Sequence, residues 1–495
     1  MASLIAGQVA IGLTGLLLYR LFFRNKSKFP LPSGQKPLPI VSNIRDLPSP
    51  GTPDFRHWLP FREKHGSISS VPLLGRTPVI IQHKEVAVEY LEKNSPKTSS
   101  RLQFEFANMC GHGTMLAFMD YSDLFLQHRN PCLSRFNGVQ VIESKRFLMR
   151  NFKELESLFQ HVKTEAGATI LKIVYSYNVE RSKNACRAIL PFKKPVEILP
   201  ALKRLAREWL ALTDASAYIP YNHVKKQMGP GTYQPSYVQE LIRTHGKGKT
   251  NIQSDEDTKE AIVRTTQMLF TGEVQEKAQE ELYRVVGTDR LPTSEDRPNL
   301  LYINAFMKEM LRWSTVAPAN IAHKNDEEII FRGHRIPKGS YTVASNWWFL
   351  HGRMTYANLM AFDPDRYLAP RNEPDPTSPF GYERRICPGR FFAQDNLFIT
   401  VSQTLAVFKI THAIDENGKP IEAVLKHTPG LIGRPQEFPY SIIPRNEKCI
   451  ELLKRLELES PWEESNAEDL EWGSFIEYQE EHRRSGVEQR SKVSN

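Results

Sequence analysis

Cys387 has the setting that most invites chemistry. It sits in Phe380-Gly381-Tyr382-Glu383-Arg384-Arg385-Ile386-Cys387-Pro388-Gly389-Arg390, a loop with glycine and proline, an arginine two residues before the thiol and a phenylalanine seven before it. Directly after the loop, Leu397, Phe398, Val401, Leu405 and Phe408 recur at helical spacing. A thiol just ahead of a helix start lies near the positive end of the helix dipole and its free N–H donors, which favours the thiolate. The thiolate is the form of cysteine that ligates iron. A free cysteine taken alone is as readily a small buried hydrophobe, so the assignment rests on the residues around it.

Two further spacings accompany the loop. Glu309-Met310-Leu311-Arg312 puts an acid and a base at i, i+3 on one helix face. Alone, that pattern is usually a surface pair. Downstream lies Phe362-Asp363-Pro364-Asp365-Arg366. The cysteine loop resembles the haem-ligating loop of the cytochrome P-450 family, Phe-x-x-Gly-x-Arg-x-Cys-x-Gly. The two upstream stretches resemble its Glu-x-x-Arg and Phe-x-Pro-x-Arg, in the required order. The resemblance covers roughly residues 29–445.

That resemblance implies a mainly α fold with small β-sheets, a single large haem-binding domain over 29–445. It implies haem b, with Cys387 as the iron ligand and Phe380 and Arg385 beside the cofactor. Tyr121 to Arg129 is similar to the family's Trp-x-x-x-Arg helix, so Arg129 is expected at a haem propionate. Phe125 replaces the tryptophan and lacks the indole N–H, so one hydrogen bond to the propionate is expected to be missing. His323 matches a basic residue that contacts a propionate, and Val316 to Ile321 the stretch that faces substrate. Glu309, Arg312 and Arg366 are expected to form a buried structural cluster, a carboxylate between two guanidiniums. Two places depart from the pattern. Glu383 stands where the family has glycine, a residue that permits close backbone approach. In Ala261-Ile262-Val263-Arg264-Thr265-Thr266, Ile262 replaces the glycine and Arg264 the acid of the oxygen-activating helix. Thr265 is expected as the proton-relay residue, with an ordinary helical threonine as the alternative. The chain from Thr265 to Gln275 is also shorter than the family pattern by about 2–3 helical turns.

The elements that must hold these residues can be read along the 495-residue chain. Charged residues at 24% and aromatics at 10% are globular values. A formal net charge of +9 suits an acidic protein partner or an anionic membrane surface. No basic run suggests nucleic acid. Five scattered cysteines without a C-x-x-C pair argue against a disulfide framework or zinc, and for a reducing compartment. Ala2 to Tyr19 carries no charge, and Arg24, Lys26 and Lys28 follow. About 20 residues suffice to span a bilayer, so residues 1–28 read as an N-terminal transmembrane anchor with the remainder cytosolic. A proline-rich hinge from Phe29 to Pro39 follows. A hairpin is expected over Ser70 to Gln82, helices over Lys84 to Leu91, Phe147 to Arg181, Gln275 to Val286 and Tyr302 to Trp313, and strands near Glu327–Arg332, Tyr341–Ser345, Ile410–Ala413 and Tyr440–Ile443. Residues 446–495 are acidic and read as a solvated tail outside the core.

The activity implied by the resemblance is a monooxygenase in the endoplasmic reticulum membrane. It would insert one oxygen atom from O2 into a hydrophobic small molecule, a secondary metabolite or xenobiotic, with electrons from NADPH through cytochrome P-450 reductase. A second reading, from Ile262, Arg264, the shortened helix, Phe125 and Glu383, is a haem-binding or haem-free relative without oxygenase activity.

Overall fold

The computed structural model describes residues 28–103, 108–129, 137–179, 272–421 and 432–463, short of a few positions within these spans, and isolated positions elsewhere. The helices that matter here are α1 (Lys84–Lys93), α2 (Asp123–Arg129), α3 (Asn137–Lys153), α4 (Leu158–Tyr175), α5 (Gly272–Val286), α6 (Leu301–Trp313), α7 (Asn346–Leu350), α8 (Arg390–Val407) and α9 (Glu447–Glu459). The strands are β1 (Ile68–Ser70), β2 (Pro78–Ile81), β3 (Ser100–Arg101), β4 (His323–Lys324), β5 (Ile329–Phe331), β6 (His334–Ile336), β7 (Tyr341–Ala344), β8 (Phe408–His412) and β9 (Tyr440–Pro444). The fold is thus mainly helical with small sheets, as expected.

The largest core is a helical bundle. α3, α4, α5, α6, α8 and α9 bury Phe147, Val162, Leu282, Phe306, Phe398, Leu405 and Leu453 together, with the β8–β9 hairpin contributing Phe408 and Ile442. α8 is buried nearly all round, its polar Asn396, Ser402 and Gln403 included, as befits a helix at the centre of a bundle. The expected helix over Phe147 to Arg181 is two helices. A 3-10 turn at Leu155–Ser157 separates α3 from α4, and α4 ends at Ser176, whose φ of +54° is left-handed.

The second unit is a five-stranded sheet in the order β1-β2-β7-β4-β3. β1 and β2 form the expected antiparallel hairpin, Ile68 opposite Ile81, with Gly75 at φ +84° in the turn. β7 joins β2 in parallel, and β4 pairs antiparallel with both β7 and β3. The last pairing sets Arg101 directly across from His323. Residues more than two hundred apart in the chain therefore meet at one sheet edge.

Over residues 446–463 the structure corrects the reading of a solvated tail; residues 464–495 lie outside the described residues. Asn446 caps α9 by accepting the Cys449 N–H, and Cys449, Leu452, Leu453 and Leu456 are buried in the main core. Their spacing of three and four residues is that of one helix face; the acidic residues further on masked it. After α9, Trp462 lies over the Arg150 and Lys153 cations, and Glu463 bonds Lys172 and reaches Arg146 at 3.3 Å. Among the described residues no helix is long and apolar enough to cross a membrane. The expected anchor over 1–28 lies almost wholly outside the described residues, as do Ile262, Arg264 and Thr265.

Candidate active site

The cysteine loop is shaped by two short 3-10 turns, Ser378–Phe380 and Glu383–Arg385. Gly381 between them has φ +82°, and a Cβ there would meet the Arg385 carbonyl oxygen at 3.3 Å. Glycine is required at that point. The Cys387 N–H donates to the Phe380 carbonyl at 2.8 Å, closing the loop and fixing the thiol three residues ahead of α8. Buried Tyr382 anchors the loop from below, donating its hydroxyl to Asn346 Oδ1 on α7 at 3.0 Å. Cys387 is half-buried and forms no disulfide. Glu383 takes φ +37°, so the chain bends here as it would with glycine and a side chain bears the strain.

Around this loop the basic residues converge on one short segment, Thr98 to Arg101. Arg385 donates from Nε to the Ser99 carbonyl at 2.5 Å and from Nη2 to the Met119 carbonyl at 2.7 Å. Its guanidinium stacks 3.9 Å from the centre of the Phe125 ring. Phe125 therefore keeps the packing role expected of the larger aromatic residue. His323 bonds the Thr98 carbonyl through Nδ1 at 2.9 Å, leaving Nε2 buried without a partner. Arg129 donates to the Arg384 carbonyl at 2.7 Å, which ties α2 to the cysteine loop. Arg101, unremarked in the sequence, completes the group. It donates from Nη1 to the Ile321 and Ala322 carbonyls, and its Nε is buried and unpartnered. A lone arginine in a serine-rich stretch reads as a solvated charge, and only the β3–β4 pairing brings it inward.

The electrostatics are those of cations short of an anion. Burial lowers the Arg101 guanidinium to about 9, with Arg385 adding to the effect. Burial likewise lowers Arg385 to about 10. The His323 imidazole is pushed well below its usual range by burial and then by Arg101, and stays neutral. Among the described residues, none of Arg101, Arg129 and Arg385 forms an ion pair; the nearby Asp120 carboxylate accepts the Arg101 backbone N–H instead. Buried guanidiniums without counter-charge cost several kcal/mol. A ligand bearing carboxylates and an apolar body, placed between this group and the Cys387 thiol, removes that cost. The two carboxylates of a haem fit the donor set.

The expected structural cluster is also in place. Glu309 on α6 accepts from Arg312 Nε and Nη2 at 2.7 and 2.8 Å and pairs with Arg366 Nε at 3.0 Å. All three side chains are wholly buried. Arg312 also donates to the Leu350, Leu359 and Ala361 carbonyls, and Arg366 to that of Ala357, so the cluster fixes the irregular chain between α7 and the cysteine loop.

A thiol presented ahead of a long helix, beneath an uncompensated cationic group, defines a haem-thiolate protein. The cytochrome P450 family model matches residues 266–433. A cytochrome P450 monooxygenase of Gibberella zeae is 37% identical over 94% of this chain and 98% of its own length. A multifunctional cytochrome P450 monooxygenase of Aspergillus fumigatus is 36% identical over 92% of this chain and 96% of its own length. The O-methylsterigmatocystin oxidoreductase of Aspergillus flavus is 28% identical over 92% and 95%. The chain belongs to the cytochrome P450 family. It is an oxygen-incorporating oxidoreductase, a monooxygenase whose cofactor is a haem carried on a thiolate.

Proposed function

We propose that the chain inserts one oxygen atom from O2 into a hydrophobic small molecule of fungal secondary metabolism or a xenobiotic, with electrons from NADPH through cytochrome P-450 reductase. Residues 1–28 anchor a catalytic domain, which starts at residue 29 and takes in α9 beyond the expected boundary at 445, to the endoplasmic reticulum membrane, with the domain in the cytosol. Haem b is held by Cys387 on iron, by Phe380 packed at the loop, and by Arg101, Arg129, Arg385 and His323 at the propionates; Thr265 relays protons. The observation that carries the reading is the gathering of the buried Arg101 and Arg385 guanidiniums, neither in an ion pair among the described residues, with neutral His323 beside the loop that presents Cys387.

Bound haem supplies oxygen activation, and the thiolate's electron donation favours O–O cleavage. The protein's share is positioning and charge. Gly381 and the Phe380 carbonyl set the sulfur's place, α8 directs its N-terminal dipole toward the thiolate, and the arginines neutralise the carboxylates. His323, kept neutral by its surroundings, donates its Nδ1–H to the Thr98 carbonyl and so carries a bare Nε2; a propionate would be held there only with one further proton shared between the imidazole and the carboxyl. The purified protein, reduced and exposed to CO, is expected to show the red-shifted Soret band of thiolate-ligated haem. The Cys387→Ser variant is expected to lose it; an unchanged spectrum in the variant sinks the assignment.

A second reading is a relative that binds haem without oxygenating. It is favoured by the family match starting at Thr266, just past the altered Ala261–Thr265 stretch. The alignment with the Gibberella zeae relative, 520 positions on 94% of a 495-residue chain, also leaves some tens of that relative's positions without a counterpart here. Reductase-dependent NADPH consumption in a protein with a normal CO spectrum separates the two. Consumption supports oxygenation, and its absence supports the shell.

A further inference from the structure

Glu165 lies midway along α4 and is wholly buried. Among the described residues it forms no ion pair. Its Oε1 accepts from Asn396 Nδ2 on α8 and from Thr169 Oγ1 one turn further along α4, each at 3.3 Å. Its other oxygen, Oε2, has no partner, and neither has Asn396 Oδ1. An ionised carboxylate only accepts hydrogen bonds, and so does an amide oxygen. The two side chains therefore satisfy one arm of a reciprocal pair and leave two acceptors over. One proton on Oε2 converts that oxygen to a donor, the kind of group that Oδ1 lacks. Leaving both acceptors unmade inside the core would cost the desolvation of each.

We propose that Glu165 is an un-ionised carboxylic acid paired through both oxygens with the Asn396 amide, making the α4–α8 contact a proton-dependent joint. The charged surroundings agree. Burial raises the carboxyl to about 7; the Asn396 hydrogen bond opposes this, Glu143 adds to it, and Arg150 and Thr169 oppose it. Glu143 and Arg150 come from the adjoining α3, where Glu143 is engaged by Arg146 at 2.6 Å and Arg150 at 3.6 Å. On α4 itself His161, one turn back, is taken up by Asn151 and Glu154. No charged residue of α8 is buried. Because α8 starts three residues after Cys387, ionising Glu165 loosens the helix that carries the cysteine loop.

The sign of the pH effect follows. The folded-state value of about 7 exceeds the ordinary 4.5, so the folded protein holds this proton more tightly. The stability it confers is complete below the ordinary value and is lost as pH rises through 7. Glu165→Gln places an amide donor where the acid carries its proton, and so mimics the protonated form at every pH. Thermal unfolding of the full-chain holoprotein is compared at pH 5 and pH 8, wild type against variant. The expected result is near-equal midpoints at pH 5 and a variant several degrees more stable at pH 8. A variant less stable at both, or a difference that does not change with pH, overturns the proposal. If the variant does not fold, infrared spectroscopy of wild type carrying isotope-labelled glutamate decides. The un-ionised carboxyl band of a buried acid at pH 6, lost by pH 8, supports the proposal; its absence at pH 6 overturns it.

Discussion

Arg312 and Arg366 share one carboxylate, while Arg101 and Arg385, buried almost as completely, share none among the described residues. The first pair is closed: Glu309 sits between the two guanidiniums, Glu373 adds a second carboxylate to Arg366 at 2.7 Å, and the remaining N–H groups go largely to backbone carbonyls. The second is open. Arg101 and Arg385 bond only neutral carbonyls, and Arg101 Nε and His323 Nε2 are left over. Both groups pay the desolvation of charge, but only one recovers it from within the polypeptide. A closed cluster is architecture; an open one is a receptor waiting for an anion.

The sharpest way to break the contrast is to open the closed cluster. Glu309→Ala leaves Arg312 buried without a carboxylate and Arg366 with Glu373 alone, and removal of one partner from such a cluster costs about 3–5 kcal/mol. The expected outcome is failure to accumulate folded protein, or a steep fall in the denaturation midpoint, with and without haem. Next comes the converse. Arg385→Ala or Arg101→Leu removes a charge that the apo chain does not compensate, so the apo protein is expected to be no less stable. Haem retention should fall, by about 10- to 150-fold for the loss of about 1.5–3 kcal/mol in a charged hydrogen bond. Haem content against apo-protein midpoint separates the two effects. An equal loss of apo stability in the arginine and glutamate variants would erase the distinction between the clusters. The smallest effect lies in the loop joining them. Glu383→Gly relieves a left-handed conformation that costs a side chain about 1–2 kcal/mol, less glycine's entropy loss. A net gain of about 1 kcal/mol in unfolding free energy is expected. Glu92, held above the usual carboxylate range by partial burial and then by the Glu383 charge, should relax toward its ordinary value.

The closed cluster was legible in the sequence because its parts have fixed spacing: Glu309 and Arg312 on one helix face, Arg366 in its own short motif. The cysteine loop was legible for the same reason. The open cluster was only half so. Arg385 and Arg129 could be placed by their neighbours, but Arg101 acquires meaning only through a pairing with His323 across more than two hundred residues, which no local pattern records. α9 was missed because the acidic residues after it outweighed four apolar ones on a single face. Glu165 was missed because a glutamate within a helical run ordinarily faces water; its burial depends on α8 lying alongside.

α9 and the two residues that close over α3 have a consequence for how the molecule comes into being. Arg146 is enclosed early in the sequence, yet Glu463, one of the carboxylates that meet it, is among the last described residues to be made. On the ribosome, Arg146 must wait for more than three hundred further residues before that contact can form, so the bundle is sealed long after its first helices are made.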